Sequence, residues 1–437
     1  MNSIQHYKEQ FSRFHNGSAR QSVHTLREKA LNILEEEGFP TVRQEEWRFT
    51  NIKPIVQTPF MPAEKIELAE ETIAPYLPEN NDSPRIVLIN GRFDAGLSKG
   101  WRDIPGVEVI SIKQALEEER ALYTSYLSSI VKKHETPFSR LNSAFLTDGI
   151  IIRINDNVEV KEPLWIAHFL QGDATPRVAF PRSLYIAGSN SRSTLVETFH
   201  SLNNHTTLTN VVSEVSVGAN ARLHHYRIQD ESAGAFHISN TAIAQKQDSR
   251  YASVTFTFGG RIVRNNISTE LNGQGIESIL NGLYMGHDEQ LIDNHTFIDH
   301  AQPHCESHEL YRGILKDKAR AVFSGKIMVR PDAQKTDAKQ SNNCLLLSDD
   351  ARINSKPQLE IYADDVKCTH GATVGQLDEE AAFYLRARGI PRHKATGILT
   401  YAFAEEIISG IEVEAVRDTV HRLLARQLGH EIDFTEF

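Results

Sequence analysis

Asn190-Ser191-Arg192, Asn220-Ala221-Arg222, Asp248-Ser249-Arg250, Lys318-Ala319-Arg320 and Asp350-Ala351-Arg352 form a recurring phrase: a small or polar turn, then Ala or Ser, then Arg, then alternating residues. The arginines fall 30, 28, 70 and 32 residues apart. The long interval has room for two or more coils of similar size, one entering at Gly273-Gln274-Gly275. A strand-and-turn unit of about 30 residues suits a solenoid, in which each unit buries its apolar face only against its neighbours. A β-sandwich is the rival, but it predicts turns every ~8–12 residues with no larger period. The reading is therefore mainly β, with a parallel β-helix core over residues 149–376.

The texture changes on either side of that core. Val23, Leu26, Ala30, Ile33 and Leu34 fall at helical spacing and Gly38-Phe39-Pro40 stops the run. Residues 85–91 and 107–112 read as strands and Lys113 to Lys133 as one long helix, so residues 1–148 form an α/β domain. After Gly375 helical spacing returns. Asp378 is placed to cap Glu379 to Arg388, Gly389-Ile390-Pro391 breaks the run, and further helices span His393 to Ser409 and Val413 to Leu428. Residues 377–437 thus make a helical domain. Because a solenoid exposes unpaired edges at its last coil, helices are expected to cover both ends.

Bulk properties narrow the function. The 437 residues are 40% hydrophobic and 24% charged, as in a globular chain, and the net charge of −10 argues against nucleic-acid binding. Three cysteines, Cys305, Cys344 and Cys368, are too few and too odd in number for a disulfide framework. With no signal core at the start and no run approaching the roughly 18 apolar residues of a membrane span, the expected location is the cytoplasm.

Cys368 and His370 are the foremost candidate site. Val366, Cys368 and His370 share parity, so an extended backbone aims all three at one face with Cα atoms roughly 6.5 Å apart. A thiol and an imidazole so placed can ligate a soft metal, yet such sites take about four ligands, and the rest must come from elsewhere in the chain or from a partner. The plain alternative is a packed thiol and an imidazole bonded to a neighbouring carbonyl. His300, His304, Cys305, Glu306 and His308 form a second cluster, but Cys305 follows His304 where a zincin helix needs Glu, and Pro303 spoils the helix. His224 and His225 are expected on opposite faces of a strand. No phosphate-binding Gly-rich loop ending in Lys-Ser/Thr, no Gly-x-Ser-x-Gly and no Cys-x-x-Cys is found. Asp293, Asp299 and Arg312 are the residues a carbohydrate-active β-helix enzyme would need along a groove.

A family resemblance then emerges from Leu141-Asn142-Ser143-Ala144-Phe145, Phe323-Ser324-Gly325-Lys326-Ile327, Ala333-Gln334-Lys335-Thr336-Asp337-Ala338, Asn343-Cys344-Leu345-Leu346-Leu347-Ser348, the run from Pro357 to Thr373, and Arg388-Gly389-Ile390-Pro391. Glu46-Trp47-Arg48-Phe49-Thr50 and Asn90-Gly91-Arg92-Phe93 add a looser match. Together they resemble the SufB/SufD family of the SUF iron–sulfur cluster assembly machinery. Gly371, standing where the SufB form has Glu, and the low cysteine count resemble the SufD form. The resemblance implies a right-handed parallel β-helix flanked by terminal domains, and a non-enzymatic scaffold that pairs with SufB and binds the ATPase SufC. It further implies a transient iron–sulfur cluster at the SufB interface, with none stably held by the isolated chain, and ATP bound only through SufC. His370, with Cys368 second, is the implied metal-facing pair. Arg386, Gly389, Pro391, Thr396, Tyr401, Phe403 and Glu406 are the implied SufC contacts. A SufB-like homodimer holding a cluster is the alternative within the family.

Overall fold

The computed structural model describes residues 3–15, 21–78 and 83–429. Its core is a β-solenoid whose strands alternate between two largely parallel sheets, one strand of each coil in each sheet. In the second sheet Arg192–Ser201, Arg222–Asp230, Arg250–Thr257, Glu277–Gly286, Glu306–Leu315, Asp337–Leu346 and Lys367–Gly375 lie in that order. In the first sheet the order runs Arg182–Ala187, Thr207–Val217, Ala235–Gln245, Ile262–Leu271, Leu291–His300, Arg320–Val329 and Arg352–Ile361. Side chains at alternate positions point between the sheets, where Leu195, Leu223, Tyr251, Leu280, Ile298 and Ile327 form part of a continuous buried cluster.

The recurring phrase marks corners of the solenoid. Asn190, Asn220 and Asp248 have φ of 59°, 55° and 56°, the left-handed region that Asn and Asp tolerate better than other side chains. Asn220 donates its side-chain amide to Asn190, and Asn190 to Asn157, each at 2.9 Å. The small residue that follows, Ser191, Ala221 or Ser249, is buried inside the corner, and the arginine opens the next strand.

One part of the sequence reading is corrected here. Arg192, Arg222 and Arg250 pair in register, and the column continues through Glu277, Glu306, Asp337 and Lys367, each about 30 residues on. Arg320 and Arg352 belong to the other sheet, in register with each other and with Leu291. At that corner the left-handed residue is Asp317, two positions before Ala319. The interval of 70 residues therefore includes both two intervening coils and a change of corner.

The N-terminal region closes one end of the stack. Arg85–Ile89 extends the second sheet beside Leu164–Leu170 and turns back through Asn90 and Gly91, both with positive φ, into Arg92–Lys99. Val107–Ser111 extends the first sheet antiparallel to Ile150–Ile154. The expected long helix over 113–133 is instead two short helices, Ile112–Glu117 and Ala121–Tyr126, and a 3₁₀ turn, Val131–His134. The break has a tertiary cause. The backbone N–H groups of Ser128, Ile130 and Val131 donate to the Glu214 carboxylate at 2.7, 2.9 and 3.1 Å, and Glu214 is itself fully buried against Arg182 at 2.6 Å.

The C-terminal helices form where expected, as Glu379–Ala387, Arg392–Ile408 and Glu414–Leu428, with the Asp378 carboxylate accepting from the amides of Glu380 and Ala381. They do not cover the far end of the solenoid. Ala404, Ile407, Ile408, Val416, Val420 and Leu424 pack on the outer face of the second sheet against Tyr226, Ile228, Phe256 and Leu283. The reason is legible in one outward column: Ile228, Phe256 and Leu283 are apolar, but the next three positions are Arg312, Asn343 and Thr373. In this column nothing apolar continues towards the last coil to draw the helices over it.

Replacing Glu214 with Ala would leave the Arg182 guanidinium uncompensated in the interior, and we expect a loss of about 3–5 kcal/mol of unfolding free energy in a urea titration. A loss under about 1 kcal/mol would contradict the role assigned to this pair.

Candidate functional site

The far end of the solenoid is a rim made of two strands, Arg352–Ile361 and Lys367–Gly375. Each is the terminal member of its sheet, so one side of each ladder has no neighbouring strand among the described residues. Their exposure sets them apart: every residue of Arg352–Ile361 is half-buried or exposed, and all of Lys367–Gly375 except Cys368 is exposed. Ile361, Tyr362 and Val374 add exposed apolar area at 40%, 61% and 51%. A long, flat edge of this kind is a template for pairing with another chain.

Cys368 and His370 stand on the final strand. Their register partners one coil below are Ala338 and Gln340, both buried and directed between the sheets. Cys368 is half-buried and packs with Val366 against the interior cluster, whereas His370 is exposed. Burial, helped by the Asp337 carboxylate, pushes the Cys368 thiol above its usual range. Among the described residues no group of three or more His, Cys, Asp or Glu is placed to hold a metal ion.

The other two thiols lie deeper. Cys305 is buried beside the Gly273 carbonyl, and burial raises it. Cys344 is buried next to Tyr284 and is pushed up to about 12. The histidine cluster at 300–308 is split by a turn. His300 ends one strand, buried, at 2.8 Å from the Ser307 hydroxyl and lowered to about 4 by burial, while His304 sits at the turn with φ of 58°. His225 points inward against Tyr251 and Glu197, and His224 points outward towards Glu412.

Asp293, Asp299 and Arg312 are each engaged in internal pairs. Asp293 is held to about 2, burial being outweighed by Arg264 and His295. Asp299 pairs with Arg330 through both oxygens, and Arg312 donates to the Phe403 carbonyl at 2.8 Å and pairs with Glu406. Asp293 and Asp299 lie on the first sheet and Arg312 on the second, so these three do not converge on one groove.

The C-terminal residues singled out in the sequence divide in two. Arg386, Gly389 and Pro391 are exposed around the break between the first two helices, with Gly389 at φ of 86°. Tyr401 and Phe403 pack against the helix–sheet cluster, Glu406 pairs with Arg312, and Thr396 is half-buried, its carbonyl accepting from Thr400. The sequence reading missed Phe383 and Tyr384, which stand 69% and 56% exposed on the helix Glu379–Ala387, Tyr384 beneath the Arg388 guanidinium at 3.4 Å.

Fold and rim define a β-solenoid whose two terminal strands have no outer neighbour among the described residues, and the comparisons with known proteins place this chain in a family. Residues 168–403 match the SufBD core domain of SUF-system FeS cluster assembly, and residues 1–166 match the SufBD N-terminal region. A SufBD-family iron–sulfur cluster assembly protein of Synechocystis sp. is 34% identical over 411 residues, covering 91% of this chain and 90% of its own length. The iron–sulfur cluster assembly protein SufD of Escherichia coli is 32% identical, with 91% of each chain covered. That of Bacillus subtilis is 27% identical, with 97% and 98% covered. The chain belongs to the SufBD family of iron–sulfur cluster assembly proteins, on its SufD side, and acts as a scaffold in that assembly.

Thiol labelling checks the site geometry. Cys368 should be the first and, in the native protein, the dominant site of maleimide modification by mass spectrometry, with Cys305 and Cys344 labelled after denaturation. Because only the thiolate reacts and its pKa is raised, the Cys368 rate should climb as pH rises from neutrality into the alkaline range. Equal native labelling of all three would contradict the assigned burial.

Proposed function

We propose that this chain is a non-catalytic scaffold subunit that holds a nascent iron–sulfur cluster only when a second, related solenoid completes its rim. The observation that carries the reading is the unpaired final coil bearing Cys368 and His370. Two side chains are half a metal site, and a partner of the SufB kind can supply thiolates across the shared edge. His370 is the group we assign to face the metal, because it is exposed on the inward column where Cys368 is partly covered; Cys368 ranks second. The cluster is cargo, bound transiently at the interface, and the isolated chain keeps none.

The helical region from 377 onward is the docking site we propose for an ATPase of the SufC kind, centred on Phe383, Tyr384, Arg386, Gly389 and Pro391. Thr396, Tyr401, Phe403 and Glu406 transmit its movement into the sheet. Phe403 and Glu406 support that reading, since both are tied to Arg312 on the second sheet. ATP is bound by the ATPase alone, and closure of an ATPase pair would pull on the helices and shift the solenoid edge. Three unpaired cysteines fit a reducing cytoplasm. On this reading residues 1–148 close the stack, 149–376 present the edge and 377–437 receive the drive.

His370→Ala should lower cluster formation in a reconstituted three-protein complex, followed by anaerobic iron and sulfide analysis, while leaving folding and complex assembly unchanged. Undiminished cluster formation would defeat the site assignment. Replacing Phe383 and Tyr384 together with Ala should weaken ATPase binding at least roughly tenfold by calorimetry, as expected when exposed aromatic anchors are truncated; unaltered affinity would place the dock elsewhere. An isolated chain that is brown and iron-bearing as a homodimer would favour a self-sufficient scaffold instead.

A further inference from the structure

The space between the two sheets is not apolar throughout, and its polar part leads to the rim. One inward column of the second sheet reads His225, Ser253, Leu280, Glu309, Gln340, His370, one residue per coil. Glu309 is 3% exposed and forms no ion pair among the described residues. Among the described residues the other buried carboxylates of the solenoid meet a basic side chain, Glu197 with Arg227, Glu214 with Arg182, Glu231 with His237, Glu270 with Lys133, Asp293 with Arg264 and Asp299 with Arg330, while Asp148, outside the strands, accepts from the backbone amides of Phe93 and Lys113 instead. Glu309 has only the Gln340 amide, which donates to Oε2 at 2.5 Å, and the Thr296 hydroxyl facing it from the opposite sheet. Gly325 makes this arrangement possible, since a Cβ there would collide with the Gln340 side chain.

Polar atoms continue from this carboxyl towards the rim. Gln340 Oε1, one coil above, has no hydrogen-bond partner among the described residues, and Thr296 is the one hydroxyl that meets the carboxyl. Such a group is costly to leave bare, and the neighbouring backbone is already used in the ladders. A buried polar atom left without a protein partner beside a buried carboxyl is the setting that retains internal water. The titratable groups nearby are Tyr311 on the same strand, Tyr251 and Tyr284 on the coils beneath, Cys344 on the strand above, and Arg227 beyond Tyr311. Burial keeps those phenols and the thiol protonated.

We propose that Glu309 is the proton-exchange site of the rim, joined to it past Gln340 by a short file of internal water. Two coil steps of about 4.8 Å separate Glu309 from the level of His370, a span of two or three waters. Resting on the scaffold reading above, its task is the proton lost when hydrosulfide or a thiol becomes a metal-bound sulfide or thiolate: the S–H bond breaks, the sulfur keeps the electron pair, and the Glu309 carboxylate becomes a carboxylic acid. No electron is transferred. Burial raises this carboxyl to about 7, so both forms are accessible near neutrality.

The test is infrared spectroscopy of the full chain in water and in deuterium oxide. The wild type should show the carbonyl stretch of a protonated carboxyl growing in as pH falls through about 7, shifting promptly in deuterium oxide, and missing from Glu309→Gln. Gln340→Leu should keep the band and slow its isotope shift. A spectrum with no band sensitive to Glu309→Gln, a band that appears only with the ordinary carboxylates near pH ~4, or an isotope shift equally fast in Gln340→Leu would overturn the proposal. In the reconstituted complex Glu309→Gln should slow cluster formation roughly tenfold. Loss of assembly in His370→Ala with none in Glu309→Gln would refute the proton site and leave the scaffold reading standing.

Discussion

The pairing of each coil with the next is the constraint on which the structure depends. A solenoid strand satisfies its N–H and C=O groups only through the strands above and below it, so the stack is coherent inside and unsatisfied at its ends. One end is solved within the chain, by Arg85–Ile89 and Val107–Ser111 joining the two sheets. The other is left with Arg352–Ile361 and Lys367–Gly375, which have no outer neighbour among the described residues. A protein that only needed stability would cover them; this one keeps its nearest helices on the side of the sheet. On the proposed reading, the unfinished edge and the incomplete ligand set of Cys368 and His370 have one cause, a coil left for a partner to complete.

Polarity in the interior follows the same logic. Parallel sheets hold the backbone so firmly that the lumen can tolerate buried charge, provided each carboxylate meets a cation, as Glu197 meets Arg227 and Glu214 meets Arg182. Against that pattern Glu309 is the exception, and it lies one coil beneath the strand paired with the rim. Position and chemistry coincide at the place where metal–sulfur bonds would form and protons would be set free.

Much of this was legible in the sequence where the cause is local. Asn190 and Asn220 announce corners because a left-handed residue and a small buried neighbour are demanded by the turn itself. Asp378 announces a helix start for the same kind of reason. Where the cause is tertiary the sequence misled: helical spacing over 113–133 is overridden by Glu214, a residue over 80 positions away that captures three backbone amides. The helices after 377 were correctly drawn but wrongly placed, because their destination is set by the outward column Ile228–Phe256–Leu283, whose members come from three separate coils. Parity put Cys368 and His370 on one face, yet the contrast between a half-buried thiol and an exposed imidazole needed the coil below. Glu309 gave no sequence signal at all, since lacking a cation is a property of neighbours 30 residues apart on either side.

Hydrogen–deuterium exchange of residues 352–375, in the isolated chain and in complex with the related solenoid partner, tests the central claim most directly. The account predicts rapid exchange at alternate amides of both rim strands in the isolated chain, and strong protection of the same amides in the complex. Protection already present in the isolated chain, or rapid exchange that persists in the complex, would contradict it.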